Sequence, residues 1–342
     1  MATDSRLIDP SGEIRLGIFA EPIGEVNYRE YALLGPLDRP RGPLARHFGF
    51  NQFQFLGGLS DSLIFGCAIA DMKIAATAFL YFYEPTTRRF AHFSFKTPLA
   101  LGCHFDQRPE DGTATFSWRG NAVTMRATAA PQQRHLRVDL AGGVRVNATF
   151  DESQPRIAPM AICTCAGAGG WVFARKTAGA RVSGTVQWEG RSIDLASLAM
   201  LGHNDWSAGY MRRETFWNWG CLAGRLADGR IVGMNISCGV NETSYTENCF
   251  WVDGALETVS IAAFEYDRRD LMKPWKLRTS DGRVDLVFTP EGRHAEKINA
   301  LVLASNFNQL FGRYQGRFVT AAGETLRIDG QLGYMERHYA KW

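Results

Sequence analysis

The chain has 342 residues with 38 Lys+Arg against 35 Asp+Glu, a formal net charge of +3, and is long enough for roughly two domains of ordinary size. Hydrophobic residues make up 45% and charged residues 21%, the balance of a packed globular chain and not of a disordered or fibrous one. Neither a polyanion binder nor an acidic tail is favoured, and no apolar stretch approaches the ~20 residues that a membrane-spanning helix needs.

At the amino terminus Asp4 and Asp9 surround Arg6 without the apolar core of a secretory signal, so a cytoplasmic location is expected. Residues 35–43 read as a Pro/Gly/Arg-rich loop and residues 43–47 as a short helix. The Arg-rich patches at 39–46 and 88–89 read as solvated loops, since no aromatic-basic stripe accompanies them; nucleic acid is not an expected partner. Strands are expected at 50–56 and 77–83, a loop at 155–170 and a second short helix at 192–200.

Asp-Gly pairs at 111–112, 228–229, 253–254, 281–282 and 329–330, with Glu189-Gly190 and Ala322-Gly323, mark candidate hairpin turns, because Gly supplies the positive φ such turns require. After residue 200 the turns tighten, and runs at 215–226, 230–240, 248–252 and 257–266 have the spacing of an antiparallel meander. So many antiparallel strands must close or stack to hide their edges. The expected architecture is all-β, two antiparallel β-barrel halves packed together with few short helices, divided into domains 1–200 and 201–342.

The seven cysteines, at 67, 103, 163, 165, 221, 238 and 249, are scattered and read as buried thiols. Cys163-x-Cys165 lacks a second ligand pair, so no metal is expected. No Gly-x-Ser-x-Gly elbow and no phosphate-cradling glycine motif occurs.

The densest polar and aromatic constellation runs Gly202-His203-Asn204-Asp205-Trp206-Ser207, then Arg212-Arg213-Glu214, then Phe216-Trp217-Asn218-Trp219. In an extended segment His203 and Asp205 share a face, as do Trp217 and Trp219. Tryptophan pairs in strands are more often core than pocket, yet Asn218, Asn235, Glu247 and Asn248 fall in the same strands, and such groups enter a β core only with partners. At the carboxyl end Glu336 and His338 share a face if extended, and Trp342 is expected to be docked with them held near the body. A carboxylate beside an imidazole suits general acid-base chemistry. The carboxyl-terminal half is therefore expected to enclose an apolar chamber with a few ionisable groups protruding into it.

The run from Gly202 to Ser207, with Arg213-x-Thr215-x-Trp217-x-Trp219, Gly233-x-Asn235, Glu247-Asn248, Trp251-x-Asp253-Gly254, Phe307-x-Gln309-x-Phe311-Gly312 and Gly333-x-x-Glu336-x-His338, resembles the bacterial domain-of-unknown-function family 2804 over most of residues 200–342. More distantly, Asn204-Asp205-Trp206-Ser207 is similar to the Asp-His-Asn-Trp type of motif of carotenoid hydratase-like and other double-lipocalin proteins, although the order of His, Asn and Asp differs. That second resemblance implies two lipocalin-like barrels and a pocket for an apolar, isoprenoid-like or polyketide-like molecule.

Two functions are compatible with these residues. One is an acid-base enzyme without an organic cofactor, a hydratase, dehydratase, isomerase or cyclase. In it His203, Asp205, Glu247, Glu336 and His338 are the catalytic candidates, and Trp206, Arg213, Trp217, Trp219, Asn235, Asn248 and Trp251 the substrate-binding ones. The other is a non-catalytic carrier of a lipid or apolar small molecule, in which the same polar groups only close the barrel.

Overall fold

The computed structural model describes residues 5–240, 243–300 and 303–341. Trp342, expected to be docked, lies outside the described residues, as does Asp4. Among them the strands form two sheets, and every strand pair is antiparallel. The first sheet has 14 strands, in which Asn51–Leu59, Leu201–Gly209 and Trp171–Trp188 lie side by side at the centre. The second has nine, centred on Glu214–Arg225, Thr325–Lys341 and Leu303–Val319. Both sheets curl into half-barrels, so the all-β expectation holds.

Sheets this long cannot remain flat, because the right-handed twist of each strand accumulates and curls them around their own apolar face. Leu56, Phe65, Leu136, Phe150 and Val182 belong to the apolar core of the first half. Leu222, Met234, Trp275, Phe288 and Phe318 belong to that of the second. A third cluster joins the two halves: Phe55, Ile64, Tyr81 and Tyr83 from the first sheet meet Trp219, Phe311, Leu332 and Tyr334 from the second. The amino-terminal segment adds a fourth, in which Leu7, Ile8 and Val26 pack on Trp171, Phe173 and Trp206.

Several turns form as expected. Asp253 and Gly254 take φ of 47° and 83°, and Glu189 and Gly190 take 52° and 73°, the paired positive values of tight hairpins. Asp329-Gly330 differs: it lies within Thr325–Lys341, where Tyr314 faces Gln331 but Gln315 faces Asp329, so Gly330 is the extra residue of a bulge at φ 83°. Pro43–Gly49 is helical. The second expected helix, 192–200, is instead the end of strand Arg191–Asp194 and a run of turns. The expected loop at 155–170 contains the strand Met160–Cys165.

Strand Leu201–Gly209 is hydrogen-bonded on both edges within the first sheet, and the second sheet begins at Glu214. If each sheet is taken as one domain, we propose the 210–213 connection as the divide, in place of residue 200. No helix among the described residues is long and apolar enough to cross a membrane.

Candidate functional site

Pleating decides which side chains of a strand meet the other sheet. Along Leu201–Gly209, His203, Asp205 and Ser207 share one face, and the intervening Asn204 and Trp206 take the other. Lys176 is the cross-strand partner of Asp205, so its ammonium emerges on the same face. There it forms two ion pairs, with Asp205 Oδ2 at 2.9 Å and Glu247 Oε1 at 2.7 Å. Ser207 Oγ donates to Asp205 Oδ1 at 3.1 Å. From the second sheet, Asn235 Nδ2 donates to the Glu247 carbonyl at 3.1 Å, and Trp219 Nε1 donates to Asn235 Oδ1 at 2.8 Å. A continuous polar chain thus links the two halves from Ser207 to Trp219.

Lys176 is buried and its two carboxylates largely so, which sets the ionisation of Lys176 and Asp205. Burial alone would pull the ammonium down, but Asp205 and Glu247 outweigh it and hold it charged above its ordinary value. For Asp205 burial wins: it pushes the carboxyl up, Lys176 opposes and Glu247 adds to the rise. Two carboxylates competing for one ammonium leave a surplus of negative charge, which a proton relieves.

His203 lies against this group with its ring centroid 5.2 Å from Phe55, 5.1 Å from Tyr334 and 6.0 Å from Trp219. It is 2% exposed, and neither ring nitrogen has a hydrogen-bond partner. Burial, helped by Lys176, lowers its pKa to about 3, so the imidazole is neutral at ordinary pH. Gly57 makes room for it: a Cβ there would stand 2.3 Å from His203 Cε1.

Glu336 and His338 continue the same face of the second sheet. Glu336 is the cross-strand partner of Trp219, and His338 that of Trp217. Trp217 Nε1 donates to Glu336 Oε1 at 2.8 Å, and Gln309 Nε2 reaches Glu336 Oε2 at 3.4 Å. The His338 ring stands 4.2 Å from that of Trp217, its Nδ1 3.7 Å from Glu336 Oε1 and its Nε2 2.9 Å from Ser305 Oγ.

The structure therefore gathers His203, Asp205, Glu247, Glu336, His338, Trp217, Trp219 and Asn235 on the face between the two sheets. This corrects the expectation of a chamber inside the carboxyl-terminal half, whose interior is packed with Leu222, Met234, Trp275 and Phe288. Four other candidates lie elsewhere. Trp206 is on the opposite pleat, 5.9 Å from Phe173 in the amino-terminal cluster. Trp251 donates to the Ala158 carbonyl at 2.7 Å and packs into the first core. Asn248 is consumed by the Ser237 amide at 2.7 Å and the Ser260 carbonyl at 3.1 Å. Arg213 is exposed in the connection between the sheets.

Lys176, the centre of the ionic group, was not singled out from the sequence. Its signal is the Arg175-Lys176 pair inside the mostly apolar run 171–180, where charge must be paired to be buried. Arg175 points the other way, into a closed network with Arg134, Glu152 and Glu110. Among the described residues no three His, Cys, Asp or Glu side chains are grouped so as to hold a metal ion. Two open clefts, of about 520 and 460 Å³, lie along strands of the first sheet and include none of the candidate residues.

Polar atoms without partners mark the inter-sheet face further. Besides both His203 nitrogens, His294 Nδ1, Gln309 Oε1 and the Tyr83 hydroxyl are buried there and unpartnered. Others lie outside this face, among them Trp171 Nε1 and the Tyr210 hydroxyl in the amino-terminal cluster.

A model described as "Domain of unknown function (DUF2804)" matches residues 1–342. No curated protein sequence matches the chain significantly. Among solved structures, CghA is 11% identical with a TM-score of 0.56, covering 97% of this chain and 95% of its own. CghA with Sch210972 is 11% identical with a TM-score of 0.55, over 98% and 96%. Kievitone hydratase from Nectria haematococca is 8% identical with a TM-score of 0.50, over 85% and 88%. At these identities the likeness shows a shared fold.

Proposed function

The chain belongs to the DUF2804 family, and from that starting point we propose that it is a cofactor-independent acid-base enzyme acting on an apolar small molecule held between its two sheets. The observation that carries this reading is the Lys176–Asp205–Glu247 group beside the unpartnered His203 imidazole. A carboxyl whose pKa is raised by burial is still protonated where an ordinary aspartate is not, which is what a general acid requires. The fold shared with a hydratase is compatible with such chemistry.

In this mechanism Asp205 delivers its proton to a carbon or oxygen of the substrate. The positive charge that develops faces Trp219 and the Glu336 carboxylate. Loss of a proton from a neighbouring carbon, or from an attacking water, to the Asp205–Glu247 pair completes an isomerisation, cyclisation or hydration and restores the acid. Lys176 opposes protonation of Asp205 and holds both carboxylates in place. Neutral His203 offers one donor and one acceptor to orient the substrate. Trp217 and His338 flank the opposite end of the site.

Turnover of terpenoid and polyketide libraries by the wild-type protein, with Asp205→Asn and His203→Ala beside it, tests this. Loss of turnover in Asp205→Asn is expected, and turnover unaffected by both substitutions removes these residues from the mechanism. The second reading, a carrier, is favoured by one observation: Lys176, Asp205 and Glu247 each already have a hydrogen-bond partner within the protein. Native mass spectrometry of protein made in its own host separates the two, since a carrier retains an unaltered apolar ligand.

A further inference from the structure

Away from Asp205, a second pair of unpartnered atoms lies along the same inter-sheet face. His294, Gln309, Glu336 and Trp219 are successive cross-strand partners on four neighbouring strands, so their side chains stand in one row. Gln309 is 3% exposed and His294 9%. The Gln309 amide is oriented by its Nε2 donating to Glu336 Oε2 at 3.4 Å, which leaves Oε1 as a buried acceptor with no donor. On the adjacent strand His294 Nδ1 is equally unmet.

The surroundings are rings. The His294 centroid is 4.5 Å from His92, 4.7 Å from Phe90, 5.4 Å from Phe307 and 6.2 Å from Tyr81. Phe90, His92 and Phe307 are only half-buried, so this end of the face reaches solvent. Gln309 Oε1 needs a hydrogen, and His294 in its Nδ1–H tautomer gives one; in that tautomer the pair, amid aromatic walls at a half-open edge, is the complement of a single hydroxyl group on a flat ring.

We propose that His294 and Gln309 form a hydroxyl-recognition subsite that selects neutral aromatic or conjugated ligands bearing a hydroxyl group. The hydroxyl donates to Gln309 Oε1 and accepts from His294 Nδ1–H, and its ring lies among Phe90, His92 and Phe307. A carboxylate in this position would confront Gln309 Oε1 and the nearby Glu336 carboxylate with a third acceptor. An ammonium group has no lone pair for His294 Nδ1–H. The proposal rests on the preceding reading that a ligand occupies the inter-sheet face, and adds the class of ligand.

Isothermal titration of the full chain with 2-naphthol, 2-methylnaphthalene, 2-naphthoate and 2-naphthylmethylamine tests it, in the wild type and in Gln309→Met and His294→Phe. Naphthol is expected to bind about tenfold more tightly than methylnaphthalene, the effect of one buried hydrogen-bonded group. Each substitution is expected to abolish that preference, read as the ratio of the naphthol and methylnaphthalene affinities within each variant; two variants guard against one misfolding. Equal binding of naphthol and methylnaphthalene, a preference that survives both substitutions, or tightest binding of the naphthoate or the amine overturns the subsite alone. Absence of binding by every probe overturns both the subsite and the occupied inter-sheet face beneath it.

Discussion

Replacing Lys176 by Met removes one cation and leaves two carboxylates facing one another. Side-chain exposure is 8% for Lys176, 17% for Asp205 and 12% for Glu247, so water compensates little. Breaking a buried pair by deleting one partner costs about 3–5 kcal/mol, mostly for the charge left behind. The variant can lower that cost by binding a proton, and this fixes the pH dependence. With the ammonium gone, nothing opposes the burial that already raises Asp205, and its folded-state pKa climbs further above its unfolded value of about 3.9. A group whose folded pKa is raised favours the folded state below the unfolded pKa, and that contribution is lost as pH climbs through the folded value. The Lys176→Met penalty is therefore expected to be larger at pH 8 than at pH 5. Urea unfolding followed by tryptophan fluorescence at both pH values measures it, and adding Glu247→Gln should recover part of the loss at pH 8. A penalty at pH 8 below about 1 kcal/mol, the size of a surface pair, or one that does not change with pH, would refute the description of this group as buried and mutually dependent.

Three further outcomes follow from the same geometry. His203→Phe should raise the unfolding temperature of the ligand-free protein, because a ring of similar shape replaces one with two unmet nitrogens, while abolishing turnover or ligand binding. It should also flatten the acid limb of stability: with a folded pKa of about 3, His203 contributes stability that is complete above its unfolded value of about 6.5 and is lost as pH falls below it; an unchanged profile in the variant contradicts this. Gly57→Ala drives a Cβ to within 2.3 Å of His203 Cε1 and should weaken ligand binding at least several-fold through ring displacement, read by titration calorimetry. For Glu152, burial alone would raise the carboxyl, but Arg134 and Arg175 overcome it and hold the pKa below the ordinary value; Glu152→Gln should cost about 3–5 kcal/mol near neutral pH, and less as pH falls below the ordinary carboxylate range, in thermal scans.

Much of the architecture was legible because it is local. Asp253-Gly254 and Glu189-Gly190 form hairpins for the backbone reason that picked them out, whereas Asp329-Gly330 shows that the same dipeptide also serves as a bulge inside one long strand. The pairing of His203 with Asp205, and of Trp217 with Trp219, followed from a period of two. What that period cannot say is which of a strand's two faces meets another sheet. The candidate residues were consequently expected inside one half, and most of them lie on the face between the halves. Trp206 was misassigned because its neighbours in sequence, His203 apart by an odd number of residues and Asp205 by one, point to the other side. Gln309 stood in the sequence only as part of the family motif and Lys176 only as a buried charge beside Arg175; what brings them and His294 to this face is cross-strand register, which joins residues far apart in the chain.

The indole N–H resonances provide the most direct test of whether the inter-sheet face is where a ligand sits, because Trp217 and Trp219 line it while Trp188, Trp251 and Trp275 lie in the interiors of the half-barrels. In a two-dimensional nitrogen-proton spectrum titrated with 2-methylnaphthalene, the Trp217 and Trp219 signals are expected to move together and saturate while those three stay in place. Movement of the interior indoles with Trp217 and Trp219 unchanged would contradict it.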